Sequence, residues 1–375
     1  MEPEVLSNVF FSATIVHMLI LSTLSFVLAV AWTPILTHFL YKYRLGKSIR
    51  SAVKAPMFAQ LHKKKAGVPT MGGVLMWGTT FMVTFMFAIV AGLVFELGLT
   101  GGVAEYFSGL NFLSRSQTWL PLFALVTAGL VGMADDILNV LKIGPHGGGI
   151  HIRHRLVMYA ILAGLGAWWF YFKLGWDTLH IPLLNSLLGL PDIAMGWWYI
   201  PFFILVIVAT SFSVNQTDGL DGLAGGTLAS AFSAYAVIAL IQGREDLAVF
   251  CAVIVGTLLA FLWFNIYPAR FIMGDTGAMS LGVTLGIVAM LTNSALLLPV
   301  IGIVFVLEAV TTVIQLVSKK FFGRKVFLIA PVHHHFEAKG WPEPKVVMRF
   351  WVISWIGAGL GLIVALLDLA PRLSV

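Results

Sequence analysis

The feature that most constrains this chain is a series of long, almost uninterrupted apolar segments. A helix needs about 20 mostly apolar residues to cross the hydrocarbon core of a bilayer. Ten segments of suitable length lie near residues 15–39, 70–95, 118–138, 156–172, 197–214, 223–241, 247–265, 277–292, 295–317 and 350–368. The pattern predicts an all-α polytopic membrane protein with about ten transmembrane helices, folded as a single membrane domain over residues 1–375.

Composition supports this class of protein and excludes others. Of the 375 residues, 59% are hydrophobic and only 11% are charged, whereas a soluble domain carries about 25% charged residues. The single cysteine, Cys251, lies in an apolar segment. It excludes a disulfide framework and any cysteine-based zinc or iron–sulfur site.

The distribution of basic residues predicts the orientation of the helices. Nineteen of the 23 lysines and arginines fall in alternate connections between the apolar segments. These connections are residues 40–69, 139–155, 266–276 and 318–349. Cytoplasmic connections are enriched in Lys and Arg, so these four connections are predicted to be cytoplasmic, together with residues 215–222. Both termini are then predicted to be periplasmic. The net charge of +6 is then a signal of topology, and no nucleic-acid partner is needed to explain it.

The connection 173–196 on the opposite, outer side contains glycines and prolines among apolar residues. We interpret it as a short hairpin or an interfacial segment. Four tryptophans flank it and are expected in the aromatic belt of the membrane. They are Trp168, Trp169, Trp197 and Trp198.

Five aspartates occupy the cytoplasmic ends of predicted helices, although they are far apart in the sequence. They are Asp135, Asp136, Asp218, Asp221 and Asp275. Any one of them could be a polar residue at a helix end. Five at one face would repel each other unless a cation holds them, and Mg²⁺ commonly binds one or two carboxylates together with substrate phosphates. This end of the protein is therefore the predicted site.

Spacing refines the expected roles of these acids. The neighbours Asp135 and Asp136 would point about 100° apart on a helix, so they are not expected to share one ligand. Asp218 and Asp221 would share a face if their stretch were helical. Asp275 lies between Gly274 and Gly277 just before a predicted helix, where backbone N–H groups point at anions.

Two further groups lie in the predicted cytoplasmic connections. Lys63–Lys65 precede the glycine-rich segment Gly67–Gly73, and His333–His335 are consecutive. The lysines are consistent with ordinary cytoplasmic charge next to a helix start. Three consecutive imidazoles splay apart and rarely reach one metal ion, so contacts to a phosphate or a hydroxyl are the more plausible role for one or two of them.

These motifs together resemble the polyprenyl-phosphate N-acetylhexosamine-1-phosphate transferases. The triple histidine followed by Phe336 and Glu337 resembles the muramyl branch of that superfamily, the phospho-N-acetylmuramoyl-pentapeptide transferases. The matching segments span most of the chain. They are Gly67–Gly73, Ala134–Asp136, Asn215–Ala224, Phe264–Pro268, Met273–Gly277 and Ala330–Trp341.

The resemblance implies a reaction and a membrane. Phospho-MurNAc-pentapeptide would pass from UDP-MurNAc-pentapeptide to the membrane lipid undecaprenyl phosphate, giving lipid I and UMP, with Mg²⁺ as cofactor. The protein would be a multi-pass protein of the bacterial inner membrane and a possible homodimer. Phosphoryl transfer depends mainly on positioning and electrostatic stabilisation, which suits a site rich in carboxylates and lysine.

The resemblance also implies roles for individual residues. Asp275 would bind the metal, and Asp135 and Asp136 would form the catalytic pair with Asp275, His334 and His335. Substrate-binding residues would include Lys65, Thr70, Asn215, Asp218, Gly219, Asp221, Asn265, Phe271, Arg155 and His333.

The chain also departs from the family pattern at several positions. Ile272 stands where the family usually has an aromatic, with Phe271 one residue earlier, so the residue that would stack on uracil stays open. The glycine-rich segment Gly144–Gly149 leaves open which of Arg153 and Arg155 matches the basic residue of the family.

Two other functions remain as alternatives. A related transferase acting on UDP-GlcNAc would use much of the same machinery. An ion-coupled transporter would explain Glu308 inside the ninth apolar segment, since intramembrane ionisable residues are functional candidates. Transporter sites lie near the bilayer midplane at related repeats, whereas these acids lie at one face and no repeat is present. We interpret Glu308, with Gln315, as a structural polar pair.

Overall fold

The computed structural model describes residues 3–46, 65, 67–114, 116–144 and 148–373. Within these ranges the protein is a bundle of helices. In chain order they are α1 (Pro3–Lys42), α2 (Gly73–Glu96), α3 (Gly102–Gly109), α4 (Trp119–Val140), α5 (Ile152–Trp168), α6 (Leu184–Leu188), α7 (Tyr199–Thr217), α8 (Leu223–Ile241), α9 (Glu245–Asn265), α10 (Gly274–Leu291), α11 (Leu298–Ile301), α12 (Ile303–Phe322), α13 (Val332–Ala338) and α14 (Glu343–Leu373).

The apolar segments predicted from the sequence form these long helices. In the described ranges, nine helices are long and apolar enough to cross a membrane. The predicted ninth segment, 295–317, is different because it is broken: residues Ala295–Ile301 and Ile303–Phe322 meet at 84°. The count is ten only if this bent pair is one span. The protein is thus a multi-pass helical membrane protein.

The break at Gly302 coincides with a close contact to α14. A Cβ atom on Gly357 would lie 2.7 Å from the carbonyl oxygen of Val300, and one on Gly361 would lie 2.3 Å from Ile301. These two glycines are one helical turn apart, so they form a single flat face. The short helix α11 lies against this face, and α12 leaves it at the bend.

Helix α10 is at the centre of the bundle, and every one of its residues is buried. Small residues allow the neighbouring backbones to approach it closely, as is common between membrane helices. A Cβ atom on Gly282 would lie 2.8 Å from Cα of Ser211 in α7, and one on Gly132 of α4 would lie 2.3 Å from the carbonyl oxygen of Asp275. This close packing fixes the start of α10 against the end of α4.

The connection 173–196 contains the predicted hairpin. Strand β1 (Thr178–Leu179) pairs antiparallel with β2 (Ile193–Ala194), and Thr178 lies opposite Ala194. The four flanking tryptophans are exposed. His180, just after β1, contacts Asp368 near the end of α14. Asp368 is about 38 Å along the helix from Glu343, at 1.5 Å per residue, so this hairpin and the start of α14 lie at opposite ends of the bundle.

Both ends of the described chain lie at the hairpin end. Helix α14 begins at Glu343 and runs towards the hairpin. Helix α1 ends at Lys42, and Leu45 just beyond it accepts a hydrogen bond from the backbone N–H of Thr70, close to the predicted site residues. The start of α1 is therefore at the far end.

Candidate active site

Two carboxylates from helices that are far apart in the sequence converge on one guanidinium group. Nε of Arg155 lies 2.7 Å from Oδ2 of Asp135, and another nitrogen of the same group lies 3.0 Å from Oδ2 of Asp275. The side-chain amide of Asn215 donates to the other oxygen of Asp275. We call Asp135, Arg155, Asn215 and Asp275 the arginine cluster. Both carboxylates are almost completely buried, so Arg155 supplies the positive charge that this arrangement requires.

The local sequence explains how these groups come together. Asp135 is near the end of α4 and Asp275 is in the first turn of α10. Gly274 has φ of +73°, and a Cβ atom there would lie 2.4 Å from Oδ2 of Asp136 and from Oγ1 of Thr70. Only glycine fits this position without strain. The backbone N–H of Ile150 donates to Asp135 and brings the start of α5 to the cluster.

Asp136 has different partners from Asp135, as the spacing predicted. Its Oδ2 accepts from both the backbone N–H and the hydroxyl of Thr276, at 3.0 and 2.8 Å. Its Oδ1 accepts from the hydroxyl of Thr70 at 3.2 Å. Asp136 therefore holds the first turn of α10 against the segment before α2, while Asp135 faces Arg155.

The segment 218–222 is a turn and not a helix, because α7 ends at Thr217. Asp218 and Asp221 consequently do not share a face. Asp218 accepts from the backbone N–H of Gly274 at 3.0 Å, whereas Asp221 accepts from the backbone N–H of Ala269 at 3.1 Å. Gly222, with φ of +82°, reverses the chain into α8. The turn thus lies between the arginine cluster and a second charged group.

The second group is formed by Lys65, Asp221 and Glu343, and we call it the lysine cluster. Nζ of Lys65 lies 2.8 Å from Oδ1 of Asp221 and also contacts Oε1 of Glu343. Burial alone would lower the pKa of Lys65, but the two carboxylates outweigh burial and raise it. The ammonium group is therefore held in its charged form at this end of the bundle. Lys63 and Lys64 lie outside the described residues.

Asn265 and Phe271 are placed as supports of the loop between α9 and α10. The amide of Asn265 donates to the carbonyl oxygen of Phe271 and accepts from the backbone N–H of Gly222. The ring of Phe271 is completely buried and packs on Phe261 and Phe264. Our expectation that Phe271 faces a substrate does not agree with this arrangement, because the clamped backbone turns its ring into the core.

The three histidines of α13 face different surroundings. Nδ1 of His333 lies 2.8 Å from Oε2 of Glu308, and both side chains are fully buried. Nε2 of His333 is buried and has no hydrogen-bond partner among the residues that the structure describes. It faces Gly219, where a Cβ atom would lie only 2.2 Å away. Glu308 is therefore linked to the histidine segment. Our interpretation of Glu308 and Gln315 as a pair is wrong, since Gln315 binds the backbone of Val326 and Phe327.

His334 and His335 are separated from each other by the helical geometry of α13. Nδ1 of His334 lies 2.7 Å from Oε2 of Glu337. Burial, reinforced by the nearby carboxylate of Glu343, raises the pKa of Glu337 to about 7. His335 instead accepts from the backbone N–H of Leu328 and contacts the ring of Phe327. The structure therefore brings His333 near the turn at Gly219, but places His335 against the preceding loop.

Three residues of this region were not predicted from the sequence. Thr276 binds Asp136, Glu343 completes the lysine cluster, and Glu337 binds His334. Glu343 follows Pro342 in the first turn of α14, and an acid after a proline is a helix-start signal. That signal could have placed the start of the last helix at Glu343, seven residues before the predicted apolar segment.

The donor set of the arginine cluster suits a hard cation. Carboxylates of Asp135 and Asp275 surround one positive charge, and Mg²⁺ uses such oxygen ligands together with substrate phosphates. Among the described residues, no group of three or more His, Cys, Asp or Glu side chains is placed to hold a metal by itself. A Mg²⁺ ion at this position would therefore depend on oxygen ligands from a phosphorylated substrate.

Known proteins match the segment that carries the arginine cluster and also most of the chain. The family model for glycosyl transferase family 4 matches residues 118–293. A phospho-N-acetylmuramoyl-pentapeptide-transferase of Geobacillus sp. (strain WCH70) is 37% identical over 340 residues, which are 90% of this chain and 95% of that protein. One of Chloroflexus aggregans is 36% identical over 365 residues, which are 94% of this chain and 91% of that protein. The relative from Geobacillus kaustophilus is 38% identical over 339 residues, 90% of this chain and 94% of its own. The chain belongs to the phospho-N-acetylmuramoyl-pentapeptide-transferase family, and it is a transferase of the membrane.

Proposed function

We propose that this protein transfers phospho-MurNAc-pentapeptide from UDP-MurNAc-pentapeptide to undecaprenyl phosphate, giving lipid I and UMP in peptidoglycan synthesis. The observation that carries the proposal is the convergence of five aspartates from α4, α10 and the turn after α7 at one end of a membrane bundle. They are held there by Arg155, Lys65 and backbone N–H groups. A site of this charge at the membrane surface suits a diphosphate on one side and a lipid phosphate on the other.

The residues divide into two groups by what surrounds them. The arginine cluster holds Asp135 and Asp275 beside a cation, so it is the proposed position of the reacting phosphates. The lysine cluster and Gly219 form the proposed nucleotide side of the site. Asp136, Thr70 and Asn265 bind other parts of the protein, so their proposed role is to position the reacting groups.

Mg²⁺ is the proposed cofactor, held by Asp275 with Asp135 as a second carboxylate. When bound, it would neutralise charge on the diphosphate and on the departing UMP. Arg155 forms ion pairs with the same two carboxylates. Metal binding is therefore expected to compete with the contacts of Arg155, which makes the guanidinium available to a substrate phosphate.

For the chemical step we propose direct attack by the lipid. An oxygen of undecaprenyl phosphate forms a bond to the sugar-linked phosphorus, and the bond from that phosphorus to the UMP oxygen breaks. A phosphate monoester has a second pKa of about 6, so most of it is already dianionic at pH 7. Asp135 then needs only to orient the nucleophile. The rival route uses an aspartate as covalent nucleophile, but both carboxylates of the arginine cluster are ion-paired and are weak nucleophiles in this state.

The two routes differ when the lipid acceptor is absent. A covalent intermediate would allow labelled UMP to exchange into UDP-MurNAc-pentapeptide without undecaprenyl phosphate. Direct attack does not allow this exchange. We expect no exchange in rigorously delipidated protein, and exchange that disappears in Asp275→Asn would show the covalent route.

The experiment that tests the proposed function is a comparison of nucleotide substrates. Purified protein with undecaprenyl phosphate and Mg²⁺ should release UMP from UDP-MurNAc-pentapeptide, and much less from UDP-GlcNAc. Preferential use of UDP-GlcNAc would assign the chain to the alternative branch of the superfamily. Family membership already argues against a transporter, and UMP release would exclude that alternative directly.

We propose that the site in the bacterial inner membrane faces the cytoplasm, because the described parts of the basic connections lie at this end and nucleotide substrates are cytoplasmic. A cysteine introduced as Gly102→Cys should react with an impermeant reagent in intact cells. One introduced as Gly340→Cys, beside α13, should not. The native Cys251 is buried and gives little background. Labelling at position 340 from outside would show that the orientation is opposite to the one proposed.

A further inference from the structure

A groove lies at the end of α1, outside the arginine and lysine clusters. It has a volume of about 670 Å³ and opens widely to the surroundings. Its walls come from the last turns of α1 and from the loop between α9 and α10. The residues that line it are Pro34, Thr37, His38, Tyr41, Lys42 and Arg270. None of them belongs to the proposed reaction site.

Two positive charges face this groove. Lys42 and Arg270 are both exposed, and in the described ranges neither forms an ion pair with a carboxylate. Each cationic group instead contacts an aromatic ring: Nζ of Lys42 lies 5.8 Å from the centre of Tyr43, and the guanidinium of Arg270 lies 5.8 Å from that of Phe264. The adjoining segment 47–64 contains no Asp or Glu in its sequence. Among the described residues, the two cations of the groove therefore have no carboxylate to neutralise them.

The groove is at the depth where a membrane helix meets the headgroups. Lys42 is the last residue of the first apolar span. Tyr41 and Tyr43 are more than half exposed, as expected for an aromatic belt, while Ile35 below them is 60% exposed and apolar. A ligand that follows α1 would thus meet hydrocarbon-like side chains first and two cations at its end.

The two walls of the groove are tied together. The hydroxyl of Tyr41 donates to the carbonyl oxygen of Arg270 at 2.8 Å. The backbone N–H of Arg270 donates in turn to the carbonyl oxygen of Phe264 at 2.9 Å. These bonds hold Arg270 facing the end of α1. The same loop contains Ala269, whose backbone N–H donates to Asp221. One wall of the groove is therefore hydrogen-bonded to the lysine cluster.

We propose that this groove binds an anionic diacyl phospholipid, with its headgroup phosphate between Lys42 and Arg270 and its acyl chains along α1. Charge complementarity and the apolar surface below the cations support this occupant. Inorganic phosphate would use the cations but not the apolar surface. A reacting polyprenyl phosphate has to reach the arginine cluster, and no member of that cluster lines the groove. The proposal does not depend on the proposed transferase reaction.

Native mass spectrometry of the purified full-length protein tests the proposal. Phosphatidylglycerol and phosphatidylcholine are titrated separately, and the bound lipids are counted. Each basic residue near an anionic lipid contributes about a factor of five, so Lys42→Gln with Arg270→Gln should weaken phosphatidylglycerol binding about thirtyfold. The matched control is Lys319→Gln with Lys320→Gln, two exposed lysines at the end of α12. The charge-preserving pair Lys42→Arg with Arg270→Lys should retain binding and excludes an effect of misfolding.

Each other result would contradict the proposal. Equal weakening in the groove and control variants would show only diffuse attraction to basic residues. Unchanged binding in the groove variant would place the lipid elsewhere. Binding of undecaprenyl phosphate without phosphatidylglycerol, lost in the groove variant, would assign the groove to the acceptor lipid. Complete displacement by millimolar inorganic phosphate would make it a simple anion site.

Discussion

Oε2 of Glu308 lies 2.8 Å from Nδ1 of His333, and neither side chain is exposed. A carboxylate accepts from Nδ1 only when that nitrogen carries hydrogen. The contact therefore favours the tautomer with hydrogen on Nδ1, in which Nε2 faces Gly219 without hydrogen. Glu308 therefore holds the ring of His333 in place. The two residues come from different helices, and their contact fixes the rotation of α13 relative to α12.

The first prediction concerns this contact. Glu308→Ala should lower the unfolding free energy by about 1–3 kcal/mol, because it leaves a buried donor unsatisfied. Glu308→Gln keeps an acceptor oxygen and should be more stable than the alanine variant. Both should lower kcat more than they raise KM, since the ring is misplaced. Histidine nitrogen chemical shifts should report an altered Nδ1/Nε2 tautomer, whereas unchanged shifts would contradict the positioning role.

The second prediction uses the close approach of Gly219 to His333. Gly219→Ala introduces a Cβ atom that would lie 2.2 Å from Nε2, so the ring has to move. A displacement of about 1 Å can cost about 10²-fold in rate, and we expect a loss of that size in UMP release. Gly92→Ala in α2 is the matched control, since no atom lies within 4 Å of its Cβ position. Equal activity of the two variants would show that His333 is not at the site.

The third prediction distinguishes Arg155 from Arg153. Arg155→Ala leaves the carboxylates of Asp135 and Asp275 without their counter-charge, so the protein should become less stable in the absence of metal. Mg²⁺ should then raise the melting temperature of Arg155→Ala more than that of the unmodified protein. Arg153→Ala is the control, because its side chain is exposed. An identical response to Mg²⁺ in all three proteins would argue against a metal at Asp135 and Asp275.

The fourth prediction concerns the pH dependence of stability. The pKa of Glu337 is raised to about 7 from its ordinary 4.5, so the folded state binds a proton that the unfolded state releases. Stability should therefore decrease as the pH rises from about 4.5 to 7 and then level off. Glu337→Gln should remove this loss of stability. The stability of the variant relative to the unmodified protein should therefore be greater at pH 8 than at pH 5. Glu105→Gln, on exposed helix α3, serves as the control for melting curves between pH 5 and 8.

Much of the fold follows from hydrophobic length alone. The apolar segments predicted the long helices, whereas the periplasmic position of both termini stays a prediction from the basic connections. The bend at Gly302 was not predictable, because it depends on Gly357 and Gly361 packing against α11. Such a contact between distant parts of the sequence has no local signal.

The convergence of the five aspartates was predictable from the sequence, but their hydrogen-bond and ion-pair partners were not. Spacing separated Asp135 from Asp136 correctly, because neighbouring helical residues point apart. The separation of Asp218 from Asp221 depended on where α7 ends, which the sequence left open. Likewise, Phe271 lies one residue before the position where the family usually has an aromatic, and its burial results from the clamp formed by Asn265. The partners of Arg155 and Glu308 are long-range contacts that only the fold determines.

The most direct test of the account is the rate of lipid-linked product formation in Asp275→Asn, compared with Asp177→Asn at the hairpin end. Undecaprenyl phosphate, UDP-MurNAc-pentapeptide and Mg²⁺ are supplied at saturating concentrations, and melting temperatures confirm that both variants are folded. Losing the carboxylate at the reacting phosphates should lower the rate about 10²- to 10³-fold, while Asp177→Asn stays close to the unmodified protein. Near-normal transfer by folded Asp275→Asn would contradict the assignment of the arginine cluster as the active site.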